Sequence, residues 1–541
     1  MSAVALTMKS TYCPSYLKLF PWVVLLFAFM GLSSCAIAPA TVKKAMRMEG
    51  LSFSSDAALY RLMEQATVKP ASAQSAEALG EFVERWKKRG LGPSYTLAPD
   101  REGMPAYQIH FDQSGSGCYP LNYFDEVDSA EGLVVGKIPH YQRAGVGAPL
   151  IALRENRHLE PIEKYYPPEA ITRALTAVAL TGPMKSGVQK VEIQLLCPLV
   201  NASVGSGRMK HPLAADFTAP WATLLSRSGE LNRNGVLDLL TAMPKRPPQL
   251  YLMQPYDPDK EPLIMIHGLL STPLAWAEVS NELWADDTIR QRYQIWHYLY
   301  NTSAPALYSA RLLRTQIREL RQLLDPHGND VASQHITLLA HSMGGIISKA
   351  VVTEPGDAFW NAALKVPHET LTLTPEDRIQ LQDAFEWEPE RTVRRIIFVA
   401  VPHRGSDFAD NAIGRLGHWL SAPPAPFKAF YQRISASNPG VFTPEYVALG
   451  RGELDSISSL SPRQPTLPIL ADLPFAYPLQ AHSIIGNRGK PGPLGESSDG
   501  VVPYQSSHLE GVASELVVPA NHGAYRHPAA MAEIKRCLKL P

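Results

Sequence analysis

The chain has 541 residues, 45% of them apolar and 19% charged, enough for a sizeable core and more than one domain. Lysine plus arginine number 51 and aspartate plus glutamate also 51, so the formal net charge is zero. That balance argues against a nucleic-acid partner, because displacing counterions from phosphates needs a positive surplus.

At the N-terminus, Lys9 and Lys18 precede an apolar stretch, LFPWVVLLFAFMGL, over residues 19–32. The run is shorter than the ~20 residues of a spanning helix. A short apolar run followed by Ser33, Ser34 and Cys35 predicts an export signal, residues 1–35, to be set aside from the fold. The tetrapeptide Leu32-Ser33-Ser34-Cys35 resembles the lipobox of bacterial lipoproteins. That resemblance implies cleavage before Cys35, lipidation of its thiol and attachment to a membrane. Ala36, rather than an aspartate, follows the cysteine, which by the same resemblance points to the outer membrane of the cell envelope.

Three thiols remain beyond that point, Cys118, Cys197 and Cys537. An odd number leaves at least one free or paired between chains. Three unpaired core residues are the expectation; if an internal bridge forms, it joins Cys118 and Cys197, which an extracytoplasmic compartment permits. No Cys/His cluster has zinc-ligand spacing, and no metal site is expected.

Residues 36–105 are polar and helical in pattern, as in AEALGEFVERWKKRG, and predict a helical lead-in. From residue 106 the texture changes. AYQIHF, GAPLIALR and QKVEIQLLCPLV are strand-like runs between Gly- and Pro-rich loops. Residues 106–246 are therefore expected to form a smaller mixed α+β accessory domain with no recognisable catalytic cluster. A proline-rich linker and a new first strand follow. From residue 250 to the end, short apolar runs alternate with helical stretches. LIMIHG, QIWHYLY, HITLLAH, RRIIFVA, AHSIIGN and SELVVPA are the strand candidates, and SARLLRTQIRELRQLLD has helical periodicity. Alternating strands and helices predict an α/β unit with a mostly parallel central sheet covered on both faces. Two segments near residues 354–391 and 407–477 interrupt the alternation, and the second is placed to cap a site.

The abrupt break after ITLLA is the strongest chemical signal. In His341-Ser342-Met343-Gly344-Gly345 one serine sits where a strand meets a helix. A serine hydroxyl is a weak nucleophile and needs a base, a sharp turn that lifts it from the sheet, and small neighbours. Gly344 and Gly345 supply the small residues after it; before it stands Ala340, where the G-x-S-x-G pattern has glycine. Upstream, PLIMIHGLL ends a strand at His267-Gly268. An oxyanion needs two backbone N–H donors, here expected from Met343 and Leu269. Downstream, SSDGVVPY places Asp499 in a loop, and VVPANHGAY ends the last strand candidate near His522. The order serine, acid, histidine assigns Ser342 as nucleophile, Asp499 as the orienting carboxylate and His522 as general base and acid. Asp407 is the main alternative acid. Asp455 is expected to cap a helix, His508 to sit at the surface or a helix end, and His403 to support its loop. The rings of His341 and His267 flank the site in packing or hydrogen-bonding roles.

Taken together, IHGLLSTP, AHSMGG, VAVPHRGS, SSDGVVPY and NHGAY resemble the α/β-hydrolase superfamily, specifically a bacterial lipase and esterase branch that includes GPI inositol-deacylase-like proteins. The resemblance covers residues 250–541. It implies a Ser-His-Asp hydrolase of ester or lipid substrates with no cofactor. Some relatives carry a structural calcium ion, but no carboxylate cluster here receives it. Two other readings stay open: a non-catalytic envelope binding or assembly protein on the same scaffold, and an acyltransferase using the same serine. A protein partner is not identifiable from the residues.

Overall fold

The computed structural model describes residues 43–44, 55–68, 72–115, 117–135, 138–205, 210–231, 247–407 and 423–541. The expected export signal and Cys35 lie outside these residues. Among the described residues no helix is long and apolar enough to cross a membrane.

Two sheets organise the chain. The first is built from β1 (Ser94–Leu97), β2 (Ala106–Asp112), β3 (Glu126–Ser129), β4 (Ala148–Arg154), β5 (Ile171–Lys185) and β6 (Val188–Leu196). Their order is β1-β2-β6-β5-β4-β3, antiparallel throughout except for the parallel pair β2 and β6. The expected helical lead-in is folded onto this sheet. Helix α1 (Asp56–Val68) and helix α2 (Ala73–Lys88) precede β1, which itself lies inside the lead-in. The hydroxyl of Ser72 caps α2 by accepting from the Ser75 N–H at 3.2 Å. Leu79, Phe82, Val83 and Trp86 recur at helical spacing and are buried, and Trp86 packs its ring 5.5 Å from Phe111 of β2.

Cys118 pairs with Leu196 in an isolated antiparallel bridge, and the Cys197 N–H donates to Gly117 O at 2.9 Å. Side chains alternate along a strand, so Cys197 points to the face opposite Cys118. Both are free, as is Cys537.

The second sheet holds β7 (Gln249–Leu252), β8 (Glu261–Ile266), β9 (Tyr293–Leu299), β10 (Ile336–His341), β11 (Val393–Val399), β12 (Gln480–Gly486) and β13 (Ser514–Val518). The order is β7-β9-β8-β10-β11-β12-β13; all neighbours are parallel except β7, which runs antiparallel to β9 at one edge. Every residue of β9 and β10 is buried, as a parallel strand covered on both faces requires. Helix α3 (Ala219–Leu231) precedes this sheet. Helices α4 (Ala277–Ala285), α5 (Ala306–Leu324) and α6 (Met343–Val351) cross between its strands. In α5, Ala310, Leu313, Ile317 and Leu320 form the buried stripe. The first insertion carries α7 (Pro375–Phe385), the second α8 (Ala425–Ser437) and α9 (Thr466–Asp472), and α10 (Pro528–Lys539) follows the last strand. This strand order, with helices as crossovers, is the α/β-hydrolase fold with cap insertions.

The two sheets share their core. Trp221 of α3 packs 4.8 Å from Trp284 of α4 and 5.6 Å from the His297 ring of β9. Thr218 Oγ1 donates to Asn281 Oδ1 at 2.9 Å, and Asn281 Nδ2 donates to Pro139 O at 2.8 Å. One apolar cluster runs without a break from Trp86 and Phe111 to Leu263 and Leu339.

Candidate active site

The elements that matter meet at the carboxyl ends of β8, β10, β11, β12 and β13, where open α/β sheets present their ligands. Strand β10 continues for one residue past His341, because the Ser342 N–H donates to Val399 O at 3.0 Å. The backbone then reverses. Ser342 has φ 53° and ψ −126°, a conformation rare outside glycine, and Met343 opens α6 directly behind it. Holding such a residue costs on the order of 1–3 kcal/mol, which the surrounding packing must offset.

Two glycines permit the geometry. A Cβ on Gly344 would lie 2.4 Å from Ile266 O and 2.6 Å from His267 O, so α6 starts in contact with the end of β8. A Cβ on Gly268 would lie 3.0 Å from Ser342 Cβ. The serine elbow and the His-Gly turn therefore abut. In that turn Leu270 also has a positive φ, 53°. As the first residue of a helix, Met343 has an N–H with no acceptor inside α6. Met343 and Leu269 thus stand on the two touching turns.

Across the sheet, His522 Nε2 lies 2.9 Å from Ser342 Oγ and His522 Nδ1 lies 2.7 Å from Asp499 Oδ2. A carboxylate only accepts, so Nδ1 carries the hydrogen and Nε2 is left to receive the serine proton. Asp499 Oδ1 accepts from the N–H groups of Val501 at 2.8 Å and Val502 at 2.7 Å. Burial pushes the Asp499 carboxyl up, but the His522 charge and hydrogen bond, with those two N–H groups, outweigh it and hold the pKa below the usual value. Serine, histidine and aspartate are all buried. The chain of bonds can take a proton from the hydroxyl and stabilise the resulting cation.

The flanking residues have definite tasks. His341 Nε2 is 2.7 Å from His522 O, and its ring packs against Tyr525 at 4.9 Å. His267 stacks on Tyr300 at 4.3 Å, and the Tyr300 hydroxyl donates to His267 O at 2.7 Å. Burial pushes the pKa of His341 down to about 3 and that of His267 to about 4, so both rings are neutral. The loop after β11 braces the acid loop: Arg404 Nη1 donates to His508 O at 2.7 Å, and Ser406 Oγ donates to Val501 O. Asp407, in that loop, is exposed, and the carboxylate bonded to His522 is that of Asp499. Asp455 caps a short helix through Ser458 N at 2.7 Å, and His508 follows another, paired with Glu515 at 2.7 Å. His403 is buried against Phe398 at 4.9 Å. Among the described residues no group of three or more metal-ligating side chains comes together.

Tyr525, Tyr300 and Arg488 escaped the sequence reading. Arg488 has φ 58°, donates its N–H to Ala520 O at 2.9 Å and its Nε to Ser498 O at 3.2 Å, and so joins the two loops carrying His522 and Asp499. Tyr525 lies in the NHGAY motif, three residues past His522, which was its one available signal.

No protein-family model matches the chain, and no curated protein matches it. Solved structures do. The mature lipase of Bacillus licheniformis is 17% identical, with 54% of this chain and 98% of that one covered, at a TM-score of 0.33. Lipase 1 from Pelosinus fermentans is 13% identical over 52% of this chain and 100% of that one, at 0.31. A metagenomic carboxyl esterase is 15% identical over 53% and 77%, at 0.28. The fold itself is defined by the strand order.

Proposed function

We propose that the chain is an extracytoplasmic serine hydrolase of carboxylic esters, lipid-anchored at Cys35 to the outer membrane of the cell envelope. The observation that carries the catalytic reading is the continuous hydrogen-bonded chain Ser342–His522–Asp499, its serine raised on a strained elbow that abuts the His267-Gly268 turn. Ser342 Oγ attacks the ester carbonyl as its proton passes to His522 Nε2. The negative charge that develops on the carbonyl oxygen is taken by the N–H groups of Met343 and Leu269. Collapse of the tetrahedral species breaks the C–O bond, and the leaving alkoxide takes the proton back from His522. Water then repeats the sequence on the acyl-serine, releasing the carboxylic acid and restoring the hydroxyl. Asp499 stays ionised and holds the imidazole in the required tautomer.

An apolar acyl group is the favoured substrate element. A cleft of about 770 Å³, open mouth included, lies between α5, α6 and the cap, lined by Ile346, Phe359, Phe427, Phe430, Tyr431 and Leu467 among others. None of the three hydrogen-bonded residues lines it; Ile346, four residues past Ser342 in α6, does.

The test is turnover of p-nitrophenyl esters of increasing acyl length by the soluble chain beginning after Cys35, with Ser342→Ala alongside. Serine-dependent turnover is expected, with preference for an apolar acyl chain. Full activity in Ser342→Ala would sink the assignment. Absence of both turnover and fluorophosphonate labelling at Ser342 in the folded protein would move the chain to the binding-scaffold reading. For the location, labelled palmitate should appear on the full chain and disappear with Cys35→Ser.

A further inference from the structure

We propose that His341 is a positioning residue that fixes the His522 ring over the Ser342 hydroxyl, an inference that rests on the esterase reading above. His341 immediately precedes the serine, yet it reaches the base through the main chain. Its Nε2 is 2.7 Å from the carbonyl oxygen of His522. A carbonyl only accepts, so the hydrogen sits on Nε2 and the other ring nitrogen is bare. The ring stands edge-on to Tyr525, at 4.9 Å and 67°, and tilted at 50° to the His522 ring at 4.8 Å. Its Nδ1 is only 2.9 Å from where a Cβ on Gly268 would be, so the same ring touches the turn that carries Leu269.

One imidazole therefore joins the elbow, the base loop and the oxyanion turn. A shift of β10 moves Ser342 and His341 together, and the bond to His522 O moves the base with them. The nucleophile and its base come from segments 180 residues apart, and the bond from His341 adds to their side-chain contact a second tie made through the main chain of the base loop. The charged and titratable groups that face the ring are His522, Asp499 and Arg526. Burial keeps the ring neutral, so it adds no second positive charge beside the imidazolium that forms when His522 accepts the serine proton.

Two substitutions test this. His341→Leu removes the N–H with little change in volume, and His341→Gln keeps an N–H at similar reach. His341→Leu is expected to lose on the order of 10²-fold in kcat with KM within about threefold, because a misplaced base damages the reacting geometry and not ester binding. His341→Gln is expected to recover about a tenth or more of the wild-type kcat. The low-field proton resonance of the His522–Asp499 bond should broaden or shift in the leucine variant and return in the glutamine variant. Wild-type kcat in His341→Leu would overturn the proposal. So would equal losses in both variants, or a rise in KM with kcat preserved. If wild type turns over no ester and takes up no fluorophosphonate, the esterase reading itself fails, and the low-field proton in the two variants still decides whether His341 holds His522.

Discussion

The two sheets use backbone strain differently. Six non-glycine residues among the described ones have positive φ. Four of them, Leu270, Ser342, Ala400 and Arg488, follow the carboxyl ends of β8, β10, β11 and β12, which are neighbours in one sheet. The first sheet has two, and they are unrelated in position. His158 lies in a surface loop, and Ser186 shares the tight turn of the β5–β6 hairpin with Gly187. In the hairpin, positive φ matches the twist of the strands and has an evident local reason. At the rim of the second sheet the four positions close no hairpin; they stand at the strand ends from which the loops of Ser342 and Asp499 depart. Strain gathered along one edge of one sheet marks a site more sharply than strain alone.

The largest effect expected separates strain from chemistry. Ser342→Ala should lose about 10⁶-fold in kcat, while Ser342→Gly, equally inactive, should unfold at a higher temperature because glycine relieves a cost of about 1–3 kcal/mol. A glycine variant no more stable than the alanine one would mean that the elbow is not strained. Next, Asp499→Asn should lower kcat about 10⁴-fold by favouring the wrong tautomer of His522, with the protein folded by circular dichroism. Retention of most activity would return Asp407 to consideration as the acid.

Acid should act on the second sheet. His267, His297, His341, His403 and His482 all lie in it or its loops, and burial pushes their pKa values down to about 3 or 4 from 6.5. Their folded values lie below the unfolded one, so the stability they contribute is complete above pH 6.5 and is lost as pH falls from there toward 4. Each ring that takes up a proton on unfolding adds up to about 1.4 kcal/mol per pH unit to the slope. Urea midpoints measured from pH 7 to pH 4.5 check this; a flat profile over that range contradicts neutral buried rings. The smallest effect expected is at Ser186. Ser186→Gly should change stability by less than about 1 kcal/mol and leave turnover unchanged. Loss of activity there would tie the hairpin to the site.

Much of the second sheet was legible because buried parallel strands are written as continuous apolar runs. ITLLAH is β10, RRIIFVA overlaps β11 to within one residue, and the periodic stretch from Ser309 to Asp325 follows α5 to its C-cap. The residues of the hydrogen-bonded chain were legible through their order and their small neighbours. What escaped depends on contacts distant in sequence. β1 was hidden because three of its four residues are exposed and no alternation announces it. Arg488 looked like an ordinary loop residue, since its role comes from two main-chain partners supplied by other loops. Trp221, in a region without catalytic residues, gave no sign that its partner would be Trp284 beyond the linker.

That tryptophan pair limits how the chain can be divided. Recombination that moved residues 250–541 alone into another gene would leave Trp284 and the His297 ring facing water where Trp221 now covers them. An uncovered aromatic patch invites aggregation, and the lost ring contact alone is worth about 1 kcal/mol beyond its buried area. The first sheet and α3 therefore cover an apolar face that the second sheet does not cover for itself, and the stability of residues 250–541 depends on the chain before them.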